Sequence, residues 1–518
     1  MRLRRHLRWI APALVLGIAA VLRFWALGRP GTLVFDEIYY VRDAISQLAH
    51  GFPTTWPDDD PGMLGDRATA FTSDPANAVH PPLGKWLIGL GVLVFGPDNG
   101  WGWRSSVALA GVATVGITMR LAWSMTRSLV VACAAGLLLA IDGVHVVLTR
   151  VGLLDGFLAM LIVLGALFMW RDGEWTSREH EGPDRLPSAL SRLRILWNRP
   201  WLIAAGATFG AAASVKWSGL YPLAFFLVFA TVRDLLRRLR AARGGESGSG
   251  SARAVLTSAG QALATAALAL PTAVAVYLAS WTGWILNPGG WGRSPGTPWP
   301  EALLRYHAEM LGWHATLSAP HPYQSSPLSW PLALRPTGMY ESHWGPDGGC
   351  PWSECVSAIS PLPNPLVTWG GIAAMLALAW LVIAGLRGSA RRTPAPFVAA
   401  GAFALTGYLS GWLPWVLTFS RPAVFQFYAV VLTPFSALAS ALVIGAVCGA
   451  LPTAASSAGG AAGGAVAQDP DALRGRRIAV VLYIGLALAL TIWFFPVWSG
   501  VPVSEWFWRS HLWLPGWD

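Results

Sequence analysis

Long apolar runs separated by polar or basic stretches dominate the chain. A hydrocarbon core of about 30 Å is crossed by roughly 20 apolar residues in a helix. The pattern predicts spans near 7–28, 104–122, 129–147, 151–170, 200–216, 218–232, 256–281, 366–386, 396–416, 423–447 and 479–497, eleven in all. Arg2, Arg4 and Arg5 precede the first, as in a signal peptide. Its length, its continuation to Arg23 and Trp25 and the lack of an A-x-A-like cleavage site make it a retained anchor. Residues 83–95 (LGKWLIGLGVLVF) are apolar but short, and fit either a twelfth span or a helix lying against the membrane surface. Charge separates these readings. If 83–95 does not cross, the arginines at 120–127, 171–199, 233–255, 387–392 and 474–477 all share the side of the basic N-terminus, which the positive-inside bias makes cytoplasmic. The acidic loop 29–103, the long loop 282–365 and the C-terminal tail then face outward.

The expected fold is therefore an all-α polytopic membrane protein of about eleven transmembrane helices with ordered external loops. An N-terminal catalytic module covers 1–232 and includes loop 29–103; a connecting helix follows at 256–281. An external loop rich in Trp, Pro, His and Tyr occupies 282–365, C-terminal helices occupy 366–497, and 498–518 is an external tail. The multi-pass protein is expected in the plasma membrane.

Composition agrees with this picture. With 54% hydrophobic and 12% charged residues in a chain of 518, and a mean hydropathy of +0.47, an ordinary soluble domain is excluded. The net charge of +10 raises the idea of a nucleic-acid partner. Its arginines sit beside apolar spans, however, where lipid headgroups and topology account for them, so no nucleic acid is expected. Of the four cysteines, Cys133 and Cys448 fall inside apolar runs, leaving Cys350 and Cys355 as candidates for a pair on the oxidising side. The Gly, Ala and Ser stretches near 244–253 and 451–470 need not fold, and no internal repeat of the inverted-repeat transporter kind is evident.

Chemistry concentrates in the outward loops. FDEIYYVRDA, residues 35–44, puts Asp36 beside Glu37 at a membrane face; desolvation and mutual repulsion suit a general base and an acceptor-orienting group, against the plain alternative of a solvated acidic loop. Asp43 reads as a structural or helix-surface acid. In DPANAVHPPLGKWL, residues 74–87, His80 or Lys85 can meet a phosphate, or Lys85 can snorkel from a Pro-led interfacial helix. Arg104 opens a span on the side where arginine is unexpected, which favours pairing with a carboxylate or a lipid phosphate over the plain alternative of an interfacial anchor. Asp155, a turn inside an apolar helix, needs a partner. Lys216, at an external hairpin between two spans and flanked by Trp217 and Tyr221, completes an electropositive rim with Lys85 and Arg104 suited to a lipid-linked phosphate, or forms a structural ion pair with Asp155. His307, His314 and His321 recur every seven residues, but Pro320 and Pro322 break any helix before His321 and no H-E-x-x-H pattern is present, so no metal site is expected. His314 and His321 remain candidates for substrate hydrogen bonding. Arg421 stands at a helix mouth, followed by Gln426 and Tyr428, polar groups in an apolar run that call for a headgroup or for each other.

At these residues the sequence resembles the bacterial, particularly actinobacterial, protein O-mannosyltransferases. The pieces that carry the likeness are FDE at 35–37, HPPLGK at 80–85, the arginine at 104, LLDG at 153–156, SVKWSGLY at 214–221, HATLSAPHPYQS at 314–325 and the FQFY-to-PF segment ending at 435. The resemblance implies a multi-span C-type glycosyltransferase that passes mannose from a polyprenyl phosphate to Ser or Thr hydroxyls, with inversion. It puts the family's acidic pair on Asp36 and Glu37, its essential loop arginine on Arg104, and its lipid-phosphate contacts near Lys216, Arg421 and Gln426. Loop 282–365 has only 84 residues, too few for the β-trefoil domain of the eukaryotic enzymes. The implied partners are the polyprenyl-phosphate-linked sugar, Ser/Thr-containing polypeptides during or after secretion, and the secretion translocon. No obligatory metal or cofactor is implied, because a single phosphate needs less neutralisation than a pyrophosphate. Transfer of another sugar to a lipid or cell-wall glycan, and solute transport, are the rival readings.

Overall fold

A computed structural model describes residues 2–181, 194–243, 250–318, 320–387, 395–418, 421, 423–451 and 469–518. Most of the low-complexity stretches near 244–253 and 451–470 lie outside these residues. Among the described residues, eight helices are long and apolar enough to cross a membrane: Gly100–Thr126, Asp155–Glu179, Trp217–Arg240, Ser251–Ser280, Pro365–Leu386, Phe397–Val416, Gln426–Val447 and Pro470–Ser499.

In chain order the N-terminal half comprises α1 (Arg2–Phe24), α2 (Glu37–His50), α3 (Leu83–Phe95), α4 (Gly100–Thr126), α5 (Leu129–Ala140), α6 (Gly143–Leu148), α7 (Asp155–Glu181), α8 (Pro200–Val215), α9 (Leu220–Arg243) and α10 (Gly250–Ser280). Two apolar runs are interrupted where a continuous helix was expected. The run 129–147 breaks between α5 and α6, because Asp142 caps α6, its Oδ1 accepting from the His145 amide at 2.8 Å. The run 151–170 becomes helical only at Asp155, so this residue opens α7 rather than lying inside it. Asn99 starts α4, its side chain accepting from the amides of Trp101 and Gly102. At 13 residues, α3 reaches about 20 Å, short of a bilayer core; it packs on α2 and α4.

The helices meet closely where side chains are small. A Cβ on Gly206 or Gly210 of α8 would lie within 2.5 Å of the Ala269 or Ala273 carbonyl of α10, so those two backbones touch. That contact sets the height of Lys216, which follows the last residue of α8.

The second half adds α11 (Thr282–Leu286), α12 (Trp299–Thr316), β1 (Tyr340–Trp344), β2 (Cys355–Ile359), α13 (Pro365–Leu386), α14 (Ala395–Val416), a 3-10 segment Gln426–Leu432, α15 (Thr433–Val447), α16 (Pro470–Ser499), β3 (Val503–Ser504) and α17 (Glu505–Arg509). The strands form an antiparallel sheet in the order β1-β2-β3, with Trp344 opposite Cys355 and Val356 opposite Val503. Apolar runs did not signal this small sheet, whose strands are only two to five residues long. A disulfide joins Cys350 to Cys355 beside the β1–β2 turn, while Cys133 and Cys448 are free. The tail 498–518 and the loop 282–365 are thus one cap: β3 pairs with β2, and the Trp517 indole donates to the Ala333 carbonyl at 2.9 Å. Loop 29–103 joins the same cap, since the Tyr306 hydroxyl bonds both the amide and the carbonyl of Ala78.

Candidate active site

The two adjacent acids at the start of α2 part company. Glu37 is fully buried, and Arg104, arriving from the first turn of α4, grips it with Nε at 2.7 Å and Nη2 at 2.8 Å. The amides of Val34 and Gly152 donate to the same carboxylate at 2.9 and 2.6 Å. The remaining Arg104 donors go to the carbonyls of Leu27, Arg29, Pro30 and Thr32. Neither group has capacity left for a substrate, and the pair staples the loop after α1 to the heads of α2 and α4. Arg104 pairs with a carboxylate, as one of its two expected partners, and does not join a cationic rim.

Asp36 is half-buried and, among the described residues, has one side-chain hydrogen-bond partner, the Tyr40 hydroxyl, which donates to its Oδ2 at 3.4 Å. Burial raises its carboxyl to about 6, with Lys216 pulling the other way. Phe35, the residue before it, is held in the left-handed region at φ 47°, its ring edge-on to those of Phe427 and His321. A bulky residue there is costly, and strain of this kind persists where surrounding packing fixes it.

Beside this acid lies a cavity of about 250 Å³ lined by His80, Asp155, Lys216, His314, Arg421 and Tyr428, with Trp217, Tyr221, Trp415, Leu158 and Ile162 supplying an apolar wall. Lys216 Nζ donates to Asp155 Oδ2 at 2.7 Å. The ammonium also stands 5.1 to 5.8 Å from the ring centroids of Tyr428, Phe427 and Tyr40. Arg421 has no carboxylate partner among the described residues. Its Nη1 lies 3.1 Å from His314 Nδ1, its Nη2 reaches the Tyr428 hydroxyl at 3.3 Å, and its Nε bonds the Ala423 carbonyl. Nε2 of His314 lies 2.8 Å from the Val79 carbonyl, so the ring donates there and accepts from the guanidinium through Nδ1. Burial holds His314 down at about 4, and burial together with nearby cations holds His80 well below the usual imidazole range. Both rings are neutral at pH 7, leaving Arg421 as the unneutralised charge among the described residues that line the cavity.

Three expected site residues lie elsewhere. Lys85 is buried against Asp43, 3.1 Å from its Oδ2, and bonds the His80 carbonyl, tying α2 to α3 instead of snorkelling or joining the rim. Gln426 donates to the Trp330 carbonyl and borders a separate small void with Asp142 and Thr368. His321 is exposed, packs on Phe35 and Phe425, and lines a shallow neighbouring cleft that shares Arg421 and Thr418 with the main cavity. Tyr40, Trp415 and Thr418 went unnoticed in the sequence. For Tyr40 the i,i+4 spacing from Asp36 was the available signal. Trp415 and Thr418 join the wall only when α14 folds back, which no local pattern announces. Among the described residues, no three His, Cys, Asp or Glu side chains gather as a metal cluster.

A helical membrane bundle with loops gathered into one cap over a charged, aromatic-walled cavity is the architecture of a multi-span C-type glycosyltransferase. In keeping with this, the yeast protein O-mannosyltransferase Pmt1–Pmt2 complex bound to the sugar donor superposes with a TM-score of 0.70 over 99% of this chain and 92% of that one, at 14% identity. The profile described as dolichyl-phosphate-mannose-protein mannosyltransferase matches residues 82–286, and that of the C-terminal four-span region of protein-O-mannosyltransferase matches 300–517. The polyprenol-phosphate-mannose–protein mannosyltransferases of Mycobacterium tuberculosis and Mycolicibacterium smegmatis are each 32% identical, over 98% of this chain and 92% and 93% of theirs. The relative from Corynebacterium glutamicum is 29% identical over 98% of the chain. The chain belongs to the protein O-mannosyltransferase family.

Proposed function

We propose that this enzyme transfers mannose from polyprenyl-phosphate-mannose to Ser or Thr hydroxyls of secreted or membrane proteins, with inversion at the sugar. The observation that carries the reading is the shared cavity in which Arg421 and Lys216 face an apolar wall, with the raised carboxyl of Asp36 beside it. A lipid-linked phosphate suits that combination: cations for the phosphate, Trp217, Trp415 and Tyr221 for the first isoprene units. The acceptor hydroxyl gives its proton to Asp36 as its oxygen bonds the anomeric carbon. The bond from that carbon to the phosphate oxygen breaks, and the polyprenyl phosphate leaves with its charge met by Arg421, while Lys216, already paired with Asp155, donates a hydrogen bond. Glu37 and Arg104 act as positioning residues that hold Asp36 in place. Orientation follows the arginine distribution: N-terminus cytoplasmic, cap and C-terminus outside, in the plasma membrane. Acceptors then reach the cap as they leave a secretion translocon.

The test is transfer of labelled mannose from polyprenyl-phosphate-mannose to a Ser/Thr-rich peptide by membranes bearing the wild type or Asp36→Asn. Peptide labelling lost in the folded variant is expected. Labelled glycan or lipid in place of peptide overturns the acceptor, and undiminished peptide labelling overturns the base.

A further inference from the structure

Helix α12 presents three separate faces, one more than a cap helix needs. Tyr306, His307, Met310 and His314 turn toward the protein. Tyr306 bonds Ala78 and packs on Trp281 and Trp284, His307 Nε2 lies 2.6 Å from the Tyr277 hydroxyl, and His314 holds Val79 and Arg421. A second face carries Glu301, Arg305 and Glu309, with an ion pair between the first two and the Trp291 indole donating to the third. Between them runs a stripe of Leu304, Ala308, Leu311 and Ala315, spaced four, three and four residues apart and exposed throughout, Leu304 at 72% and Leu311 at 60%. Spacing of that kind keeps side chains on one side of a helix.

Two observations say what covers the stripe. Trp281 and Trp284, on which α12 rests, follow directly on the end of the membrane span Ser251–Ser280, so the helix is docked at the level where that span leaves the hydrocarbon. The last two stripe residues, Leu311 and Ala315, line the cavity, so the stripe runs into its mouth. We infer that α12 lies in the interfacial layer of the bilayer, with Leu304, Ala308, Leu311 and Ala315 seated among acyl chains, and that its C-terminal end forms the lip over which a prenyl chain passes into the cavity. Tyr306, His307 and His314 clamp it to the cap, so the lip keeps a fixed height above the bilayer.

The seating rests only on the membrane-spanning architecture, whereas the lip rests on the donor reading; the two parts are tested apart. Spin labels are placed at Leu304→Cys, Ala308→Cys, Arg305→Cys and Gly312→Cys in the full chain carrying Cys133→Ala and Cys448→Ala, reconstituted in lipid nanodiscs. Labels at 304 and 308 are expected to collide more with oxygen than with an aqueous nickel chelate, and those at 305 and 312 the reverse. Equal aqueous exposure at all four overturns the seating. Shielding of 304 and 308 from both reagents overturns it too, by showing a protein surface, such as a second copy, on the stripe. For the lip, Leu304→Asp with Ala308→Asp is expected to raise the KM for a long-chain polyprenyl-phosphate-mannose about tenfold, and to leave farnesyl-phosphate-mannose unchanged. Equal loss with both donors overturns the lip, and absence of transfer by the wild type overturns the donor reading instead.

Discussion

At Asp36 and Glu37, neighbours in sequence, geometry divides the labour that adjacency conceals. The Glu37 carboxylate is saturated by Arg104 and two amides, and breaking such a buried pair leaves an uncompensated charge. Arg104→Ala and Glu37→Gln are each expected to cost about 3–5 kcal/mol of stability. Thermal unfolding of the purified variants checks this, and a double variant no worse than either single one shows that the pair acts as a unit. Asp36 behaves oppositely. As a carboxyl raised by burial to about 6, it binds a proton more tightly folded than unfolded, so it favours folding below its unfolded value and opposes it as pH rises through about 6. Asp36→Asn is therefore expected to gain thermal stability at pH 7.5 while losing transfer by about 100-fold or more. For the wild type, kcat/KM should climb with pH and level off above about 6, because only the ionised acid accepts the hydroxyl proton. His314, held at about 4, adds no limb between pH 5 and 8. His314→Gln, which can both donate to Val79 and accept from Arg421, is expected to keep donor affinity, and His314→Leu to raise the donor KM about tenfold.

Elements carry the site because helix ends, more than helix middles, supply its residues. Asp36 precedes α2, Asp155 opens α7, Lys216 follows α8, and Tyr428 stands in the 3-10 segment before α15. The spacing of Lys216 from the α8–α10 contact makes a remote prediction. Gly210→Leu drives a side chain into the Ala273 backbone, and is expected to cost about 1–3 kcal/mol and to lower transfer by displacing Lys216. A normal donor KM in that variant would separate the contact from the site. The sequence showed these elements unevenly. Long spans were legible because a bilayer demands length and apolarity together. The breaks at Asp142 and before Asp155 were not, since a cap and a turn decide them inside an otherwise unbroken apolar run. Lys85 illustrates the same limit: a Pro-led helix start was readable, but whether its lysine turned outward or toward Asp43 depended on where α2 came to rest.

On the scale of the whole molecule, three chain segments far apart in sequence, 29–103, 282–365 and the tail, close over one end of the helical bundle. The proposed orientation predicts that, in a Cys133→Ala, Cys448→Ala background, a membrane-impermeant maleimide labels Asp66→Cys on intact cells and Arg253→Cys only after lysis. The reverse result would invert the topology. The sequence by itself determined what composition and short motifs can encode: a many-span helical membrane protein, its arginine-biased sides, the pairing of Cys350 with Cys355 as a candidate, and the resemblance carried by FDE, HPPLGK and SVKWSGLY. Apolar length and charge bias are properties of segments, so they survive without a fold. Only the tertiary structure decided which charges cancel and which remain. Arg104 against Glu37, Lys85 against Asp43 and Lys216 against Asp155 all join residues more than 40 positions apart. Arg421 is left facing the cavity because the ring it meets, His314, is neutral; charge partnership is fixed by distance and burial, and neither is a property of the residue alone.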